Sequence, residues 1–246
     1  MSKSFNILYS FSFNPFYRIA ATKIDPIVKP LGFHRYGRFY YRIINDVVQH
    51  FCLLWRHYDF TIRFELSSVY EDAERITEGY EIARLIDGSN QWLGLQSVET
   101  APNIYTLTGP SASFGPGVFK RCSDECVNVL QKYLLPFFEK STNSATAYEA
   151  SKQSGLLQLR KFSDIQEPET INSLGFLLGM GKIEQAEILL KYYIENNSKY
   201  NQRWWQEKEH EYIELLNAIQ NKRTNDIQNY MNQKKSATYK EFRWKT

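Results

Sequence analysis

The chain has 246 residues, of which 43 % are hydrophobic, 23 % charged and 15 % aromatic, and its formal net charge is +3. That balance describes a globular chain able to bury a sizeable core, and it excludes wholesale disorder and a generally basic, nucleic-acid-coating protein. No stretch is apolar for long enough to cross a bilayer as a helix, and three cysteines (52, 122 and 126) are too few for a disulfide framework, so we expect an unprocessed cytoplasmic protein in a reducing compartment.

Asn14-Pro15 reads as a helix start, with Asn as cap and Pro at the first helical position. The helix is expected to run towards Lys29 and stop before Pro30 and Gly32. Pro26 inside it predicts a kink, or a fresh first turn capped by Asp25. From Phe33 the spacing changes. "FHRYGRFYYRII" (33–44) reads as a strand, "ND" (45–46) as a two-residue turn and "VVQHFCLLW" (47–55) as the returning strand. In "FTIRFEL" Phe60, Ile62, Phe64 and Leu66 alternate with Thr61, Arg63 and Glu65, the period-two pattern of a third strand. A three-stranded antiparallel meander follows.

Further on, "DAERITEGYEIARLIDG" (72–88) reads as a helix, "NIYTLTG" (103–109) as a fourth strand and "GPSASFGPG" (109–117) as a loop. "RCSDECVNVLQKYLLPFFEK" (121–140) reads as a helix capped near Ser123, with Val127, Leu130 and Leu134 on one stripe. Past residue 140 the β character disappears. A small, polar linker or helical crossover (141–155) leads to a helix–Gly–helix unit with a break at 179–181, in which Ala186 lets helices pack closely. A long helix containing "RWWQEKEHEY" follows, and core anchoring accounts for Trp204 and Trp205 unless one is exposed for a partner. A last short helix (224–233) precedes a frayed basic tail. The expectation is an α+β class protein, with an N-terminal α+β part (1–140) and an all-helical C-terminal part (141–246).

The meander fixes neighbours. With a loop at 45–46, cross-strand partners sum to 91, so Tyr41 faces His50 and Phe39 faces Cys52. With a loop at His57-Tyr58 they sum to 115, so His50 faces Glu65 and Cys52 faces Arg63. One face carries the rows Tyr41–His50–Glu65 and Phe39–Cys52–Arg63, and Phe51, Leu53, Trp55, Phe60, Ile62 and Phe64 line the other. The second face is the expected core, with the first helix upon it. The first is left as an exposed face, where a His beside a carboxylate and a phenol suits general-base chemistry, or stabilises the sheet with no chemistry at all. The same pairing sets Arg38 and Arg42 beside core positions.

"GFHRYGRFYYR" (32–42) offers arginines and rings, the ingredients of a stacking platform for single-stranded nucleic acid. Arg35, Arg38, Tyr40 and Arg42 are the residues such a surface would use, yet rings and cations fall on both faces of the strand. Snorkelling arginine stems over tyrosines explain them equally. Cys122 and Cys126 lack a second ligand pair and the four histidines are scattered, so no metal is expected. No phosphate loop or nucleophile elbow appears, and no cofactor is expected.

The helix ending "KPLGF", the basic strand "HRYGRFYYRI", the turn "ND", the returning "VVQHF" and the third strand "FTIRFEL" resemble a bacterial family known only as domain of unknown function 4304. The resemblance spans residues 27–66 and extends to about the first 140 residues. It implies an α+β domain in a bacterial cytoplasmic protein and carries over no active site. The expected function is a non-enzymatic protein-binding module, in one version an immunity-type protein, with Arg35, Arg38, Tyr40, Arg42, Trp55 and Arg63 as candidate contact residues and a protein as partner. The alternatives are a hydrolytic enzyme using His50, Glu65 and Tyr41, and single-stranded nucleic-acid binding through the hairpin.

Overall fold

The computed structural model describes residues 15–56, 59–71, 80–85, 123–153 except 125, 171–196 except 172, and 203–243. Its architecture is α+β. Helix α1 (Pro15–Val28) runs into a 3-10 turn (Lys29–Leu31) and then a five-stranded antiparallel sheet in the order β1 (His34–Tyr36), β2 (Phe39–Ile44), β3 (Val47–Arg56), β4 (Asp59–Ser68), β5 (Tyr80–Leu85). Helices make up the remainder: α2 (126–140), α3 (Ser144–Gln153), α4 (Ser173–Gly179), α5 (Ile183–Glu195), α6 (Arg203–Gln220) and α7 (Thr224–Arg243). From α3 to α7, each helix packs on the next in chain order.

In α1, Tyr17, Ala20, Ala21, Ile24 and Val28 are buried, a single helical stripe laid on the sheet. Pro26 sits inside the helix, and the helix continues two residues beyond it. Asp25 does not cap a fresh turn. Its carboxylate accepts a hydrogen bond from the Tyr40 hydroxyl at 2.9 Å and pairs with Lys29 and Arg35. Gly32 ends the turn at φ +84°, a conformation a side chain would resist.

The expected strand over 33–44 is in fact a hairpin. Tyr36 pairs with Phe39, and Gly37 takes φ +59° at the first position of a two-residue loop, as the mirror-image turns of hairpins require. The next loop repeats the device with Asn45 at φ +53°, a conformation Asn tolerates better than most residues. Both register sums hold: Tyr41 faces His50, Phe39 faces Cys52, His50 faces Glu65 and Cys52 faces Arg63. The loop at 57–58 lies outside the described residues, although Arg56 pairs with Asp59 on either side of it. Residues 80–85, expected to be helical, form β5 on the outer edge of β4, with a register shift between Ile62 and Arg63. The rest of that expected helix, the fourth strand at 103–109 and the loop at 109–117 lie outside the described residues.

Helix α2 carries the expected stripe. Leu130 and Leu134 are buried, and its turn Leu130–Leu134 widens to π geometry, with the Leu135 N–H donating to Leu130 O just before Pro136. Phe33, Phe51, Phe64, Phe137 and Phe138 interlock at ring-centre separations of 5.2 to 6.3 Å, joining α2 to the inner face of the sheet. One apolar cluster runs from α1 through the sheet and α2 into α6.

Two polar joints fix the helices to the sheet. Asp46, at the hairpin tip, receives the Ser144 N–H at 3.0 Å and the Ser144 hydroxyl, which places a carboxylate at the N-terminus of α3. The Asn45 amide donates to Thr142 O at 2.8 Å. Buried Gln49 donates its amide to Phe138 O and Ser141 O at the C-terminus of α2. Its amide oxygen accepts from Arg42 Nε at 2.6 Å. The 224–233 helix and frayed tail are replaced by one 20-residue helix reaching Arg243. Lys234, Thr238 and Phe242 recur every four residues and are all buried, which is what orders the tail.

Candidate functional site

The row that strand spacing brings together lies on the outer face of the sheet. Tyr41 is 3 %, His50 3 % and Glu65 5 % exposed, so that face is covered. His50 Nδ1 stands 3.9 Å from Glu65 Oε2, and Phe39 lies nearly parallel to the imidazole with ring centres 6.0 Å apart. On the far side of Tyr41, the His34 ring stacks at 5.8 Å.

Over the Tyr41 end of the row, the cover comes from the other end of the chain. Phe242 of α7 lies 4.8 Å from the Tyr41 ring and joins Tyr41, Val48 and Val69 in a small apolar cluster separate from the main core. The Tyr41 hydroxyl donates to Phe242 O at 2.9 Å, and the Thr238 hydroxyl donates to Val69 O at 3.2 Å. Burial pushes the Tyr41 hydroxyl up to about 12, so it is a hydrogen-bond donor at any physiological pH. A His with a carboxylate 3.9 Å away, too far for a hydrogen bond, and a neutral phenol on the neighbouring strand bring together the groups of an acid–base set, but the row is closed to solvent.

The arginines of the hairpin are placed individually. Arg35 is exposed and pairs through Nε with Asp25 at 3.2 Å. Arg38 lies over the Phe39 ring at 5.3 Å. Arg42 resolves its awkward position by turning along the core edge. It donates to Gln49 and to Leu31 O at 2.7 Å, and its guanidinium covers Phe33 at 4.6 Å. Burial pulls its pKa below the ordinary value, countered in part by the Glu139 carboxylate. Tyr40 is buried, stacked on Phe51 at 4.7 Å, and burial first and then Asp25 raise its pKa. Trp55 and Arg63 are placed by backbone pairing alone, opposite Phe60 and Cys52, and their side chains lie outside the described residues, as do those of Trp204 and Trp205.

Sequence reasoning missed Thr238 and Phe242, which dock on Val69 and Tyr41. Their signal was present as a four-residue spacing that continues the helix past residue 233. Among the described residues no group of three or more His, Cys, Asp or Glu is arranged to hold a metal ion, and no helix is long and apolar enough to cross a membrane. Comparison with protein-family models, with curated proteins and with solved structures finds no match for this chain.

Proposed function

We propose that this chain is a non-enzymatic protein-binding module of the bacterial cytoplasm, in its immunity-type version one that neutralises a toxin by covering its active surface. The observation that carries the reading is the closure of the Tyr41–His50–Glu65 row. The set with acid–base potential is buried, whereas a hydrolytic enzyme needs it open to substrate. The nucleic-acid alternative loses support because Arg35 is held by Asp25 and Arg42 is turned into the core edge, so the hairpin does not offer its arginines as one platform. The cytoplasmic setting is supported by Cys52 and Cys126, which are buried as thiols. Kinship to the domain of unknown function 4304 family belongs to the same proposal, supported by the helix, hairpin and strand order of residues 15–68.

The test is affinity capture of the tagged chain from native extract, with and without nuclease, followed by reconstitution of any catch from purified components. One protein that survives nuclease and re-forms a 1:1 complex supports the proposal. A catch lost with nuclease, or turnover by the purified chain in a hydrolase substrate screen that His50→Ala abolishes, overturns it.

A further inference from the structure

Charge is unevenly placed along this chain. Residues 15–44 hold six Lys and Arg against the single Asp25, a net +5 in a chain whose total is +3, so the rest together carries −2. Folding gathers three of those cations on one surface. Arg18, Thr22, Asp25 and Lys29 follow one another at the three- and four-residue steps of one helical stripe, beside the buried stripe of α1. Lys29 Nζ and Arg35 Nε of β1 reach the same Asp25 oxygen, at 2.8 and 3.2 Å, and the Tyr40 hydroxyl occupies the other oxygen. One carboxylate thus serves two cations. Arg18 is exposed and has no carboxylate partner among the described residues. Arg42 is countered by Glu139 of α2 and adds little to the surplus.

Beside these cations the surface is apolar and stiff. Leu31 stands 38 % exposed, and Pro26 and Pro30 are exposed with it. The turn that carries Leu31 is closed by the Gly32 N–H donating to Lys29 O at 2.9 Å and the Phe33 N–H to Val28 O at 3.2 Å. Arg42 holds Leu31 O at 2.7 Å, and the ring of Pro30 fixes its own φ. A pre-shaped apolar point next to cations binds with little ordering cost. We propose that this surface, from Arg18 along α1 to Leu31 and Arg35, is where the module docks a partner protein that presents an acidic patch. The inference rests on the binding-module reading and adds to it the place of contact and the charge of the partner. A protein fits the surface better than nucleic acid does. Tyr17, Phe33 and Tyr40, the rings that could stack on bases, are buried, and an exposed Leu finds an apolar counterpart on a protein rather than on a phosphate backbone.

The tagged full chain captures its partner from native extract with and without nuclease, and the complex is rebuilt from purified components. A water-soluble carbodiimide then joins lysine amines to the carboxylates they touch. Peptide mass spectrometry should find Lys29 coupled to an Asp or Glu of the partner, beside the Lys29–Asp25 product that the free chain gives. The complex should weaken as salt is raised. Arg18→Glu with Lys29→Glu, both at exposed sites, should weaken it at least about tenfold, because like charges then face each other. The same charge change on α7, Lys235→Glu with Lys240→Glu, should leave it unchanged. Leu31→Ser, which keeps every charge, should weaken it as well. Thermal unfolding checks that each variant keeps the fold, and Arg18→Gln with Lys29→Gln stands in if the double Glu variant does not. A complex that the patch variants form as tightly as the wild type, or one in which Lys29 couples only to Asp25, overturns the docking surface and leaves the binding-module reading standing. A bait that holds no protein once nuclease is present overturns both.

Discussion

Gly179 closes α4 against the tip of the β2–β3 hairpin, and its substitution by alanine tests how the helical part is keyed to the sheet. A Cβ at this position would overlap the Ser144 hydroxyl and stand 3.0 Å from Ser144 Cβ and 3.1 Å from Asp46 Oδ2. Ser144 has no free direction in which to yield, because its N–H and hydroxyl both bond the Asp46 carboxylate at the start of α3. Overpacking in such a site costs about 1–3 kcal/mol. Weakening a hydrogen bond to a carboxylate adds about 1.5–3 kcal/mol. The better helix propensity of alanine returns up to about 1 kcal/mol. The net expectation for Gly179→Ala is a loss of about 1.5–5 kcal/mol, which for a chain of this length lowers Tm by at least about 3 °C. Urea and thermal unfolding followed by circular dichroism measure it. The decisive arm is the double mutant with Ser144→Gly, which removes the atoms the methyl would strike. In that background Gly179→Ala should cost far less, giving a clear coupling energy. An equal cost in both backgrounds, or a Gly179→Ala protein as stable as the wild type, refutes the steric argument.

Three other outcomes follow from the same geometry. Gln49→Leu strands Phe138 O, Ser141 O and Arg42 Nε in a buried site, and urea unfolding should show a loss of about 2–4 kcal/mol. Tyr41, raised by burial to about 12 from an ordinary value near 10, keeps its proton longer in the folded than in the unfolded chain. The stability this confers is complete below pH 10 and is lost as pH climbs towards 12, so Tyr41→Phe should flatten the alkaline limb of a Tm-versus-pH curve. Ile188→Asp, at a solvent-facing site, should change stability by less than about 0.5 kcal/mol in urea unfolding.

The sheet was legible to the level of individual pairs because two-residue loops fix register arithmetically. Once Asn45-Asp46 is a turn, Tyr41 must face His50. The same logic failed one loop earlier, where Gly37 between two aromatic triplets passed for a strand residue. A glycine inside a strand pattern is itself a break signal, and here it marks a hairpin. Over 80–85, "YEIARL" is too short for its period to separate helix from strand, and pairing with β4 decides the matter. The candidate site divides along the same line. Which side chains share the row is a local property of the pleat, but the ring that covers its Tyr41 end is Phe242, two hundred residues away. No local pattern encodes that contact. What the tail does encode is its own helicity, through buried Lys234, Thr238 and Phe242. A 20-residue helix rises about 30 Å, long enough to leave α6 and still reach the sheet. The basic tail that reads as a frayed end is thus an ordered helix whose Phe242 covers Tyr41 on the outer face of the sheet. A chain truncated after residue 237 should consequently keep the main core and leave Tyr41 open to nitration, mapped by peptide mass spectrometry.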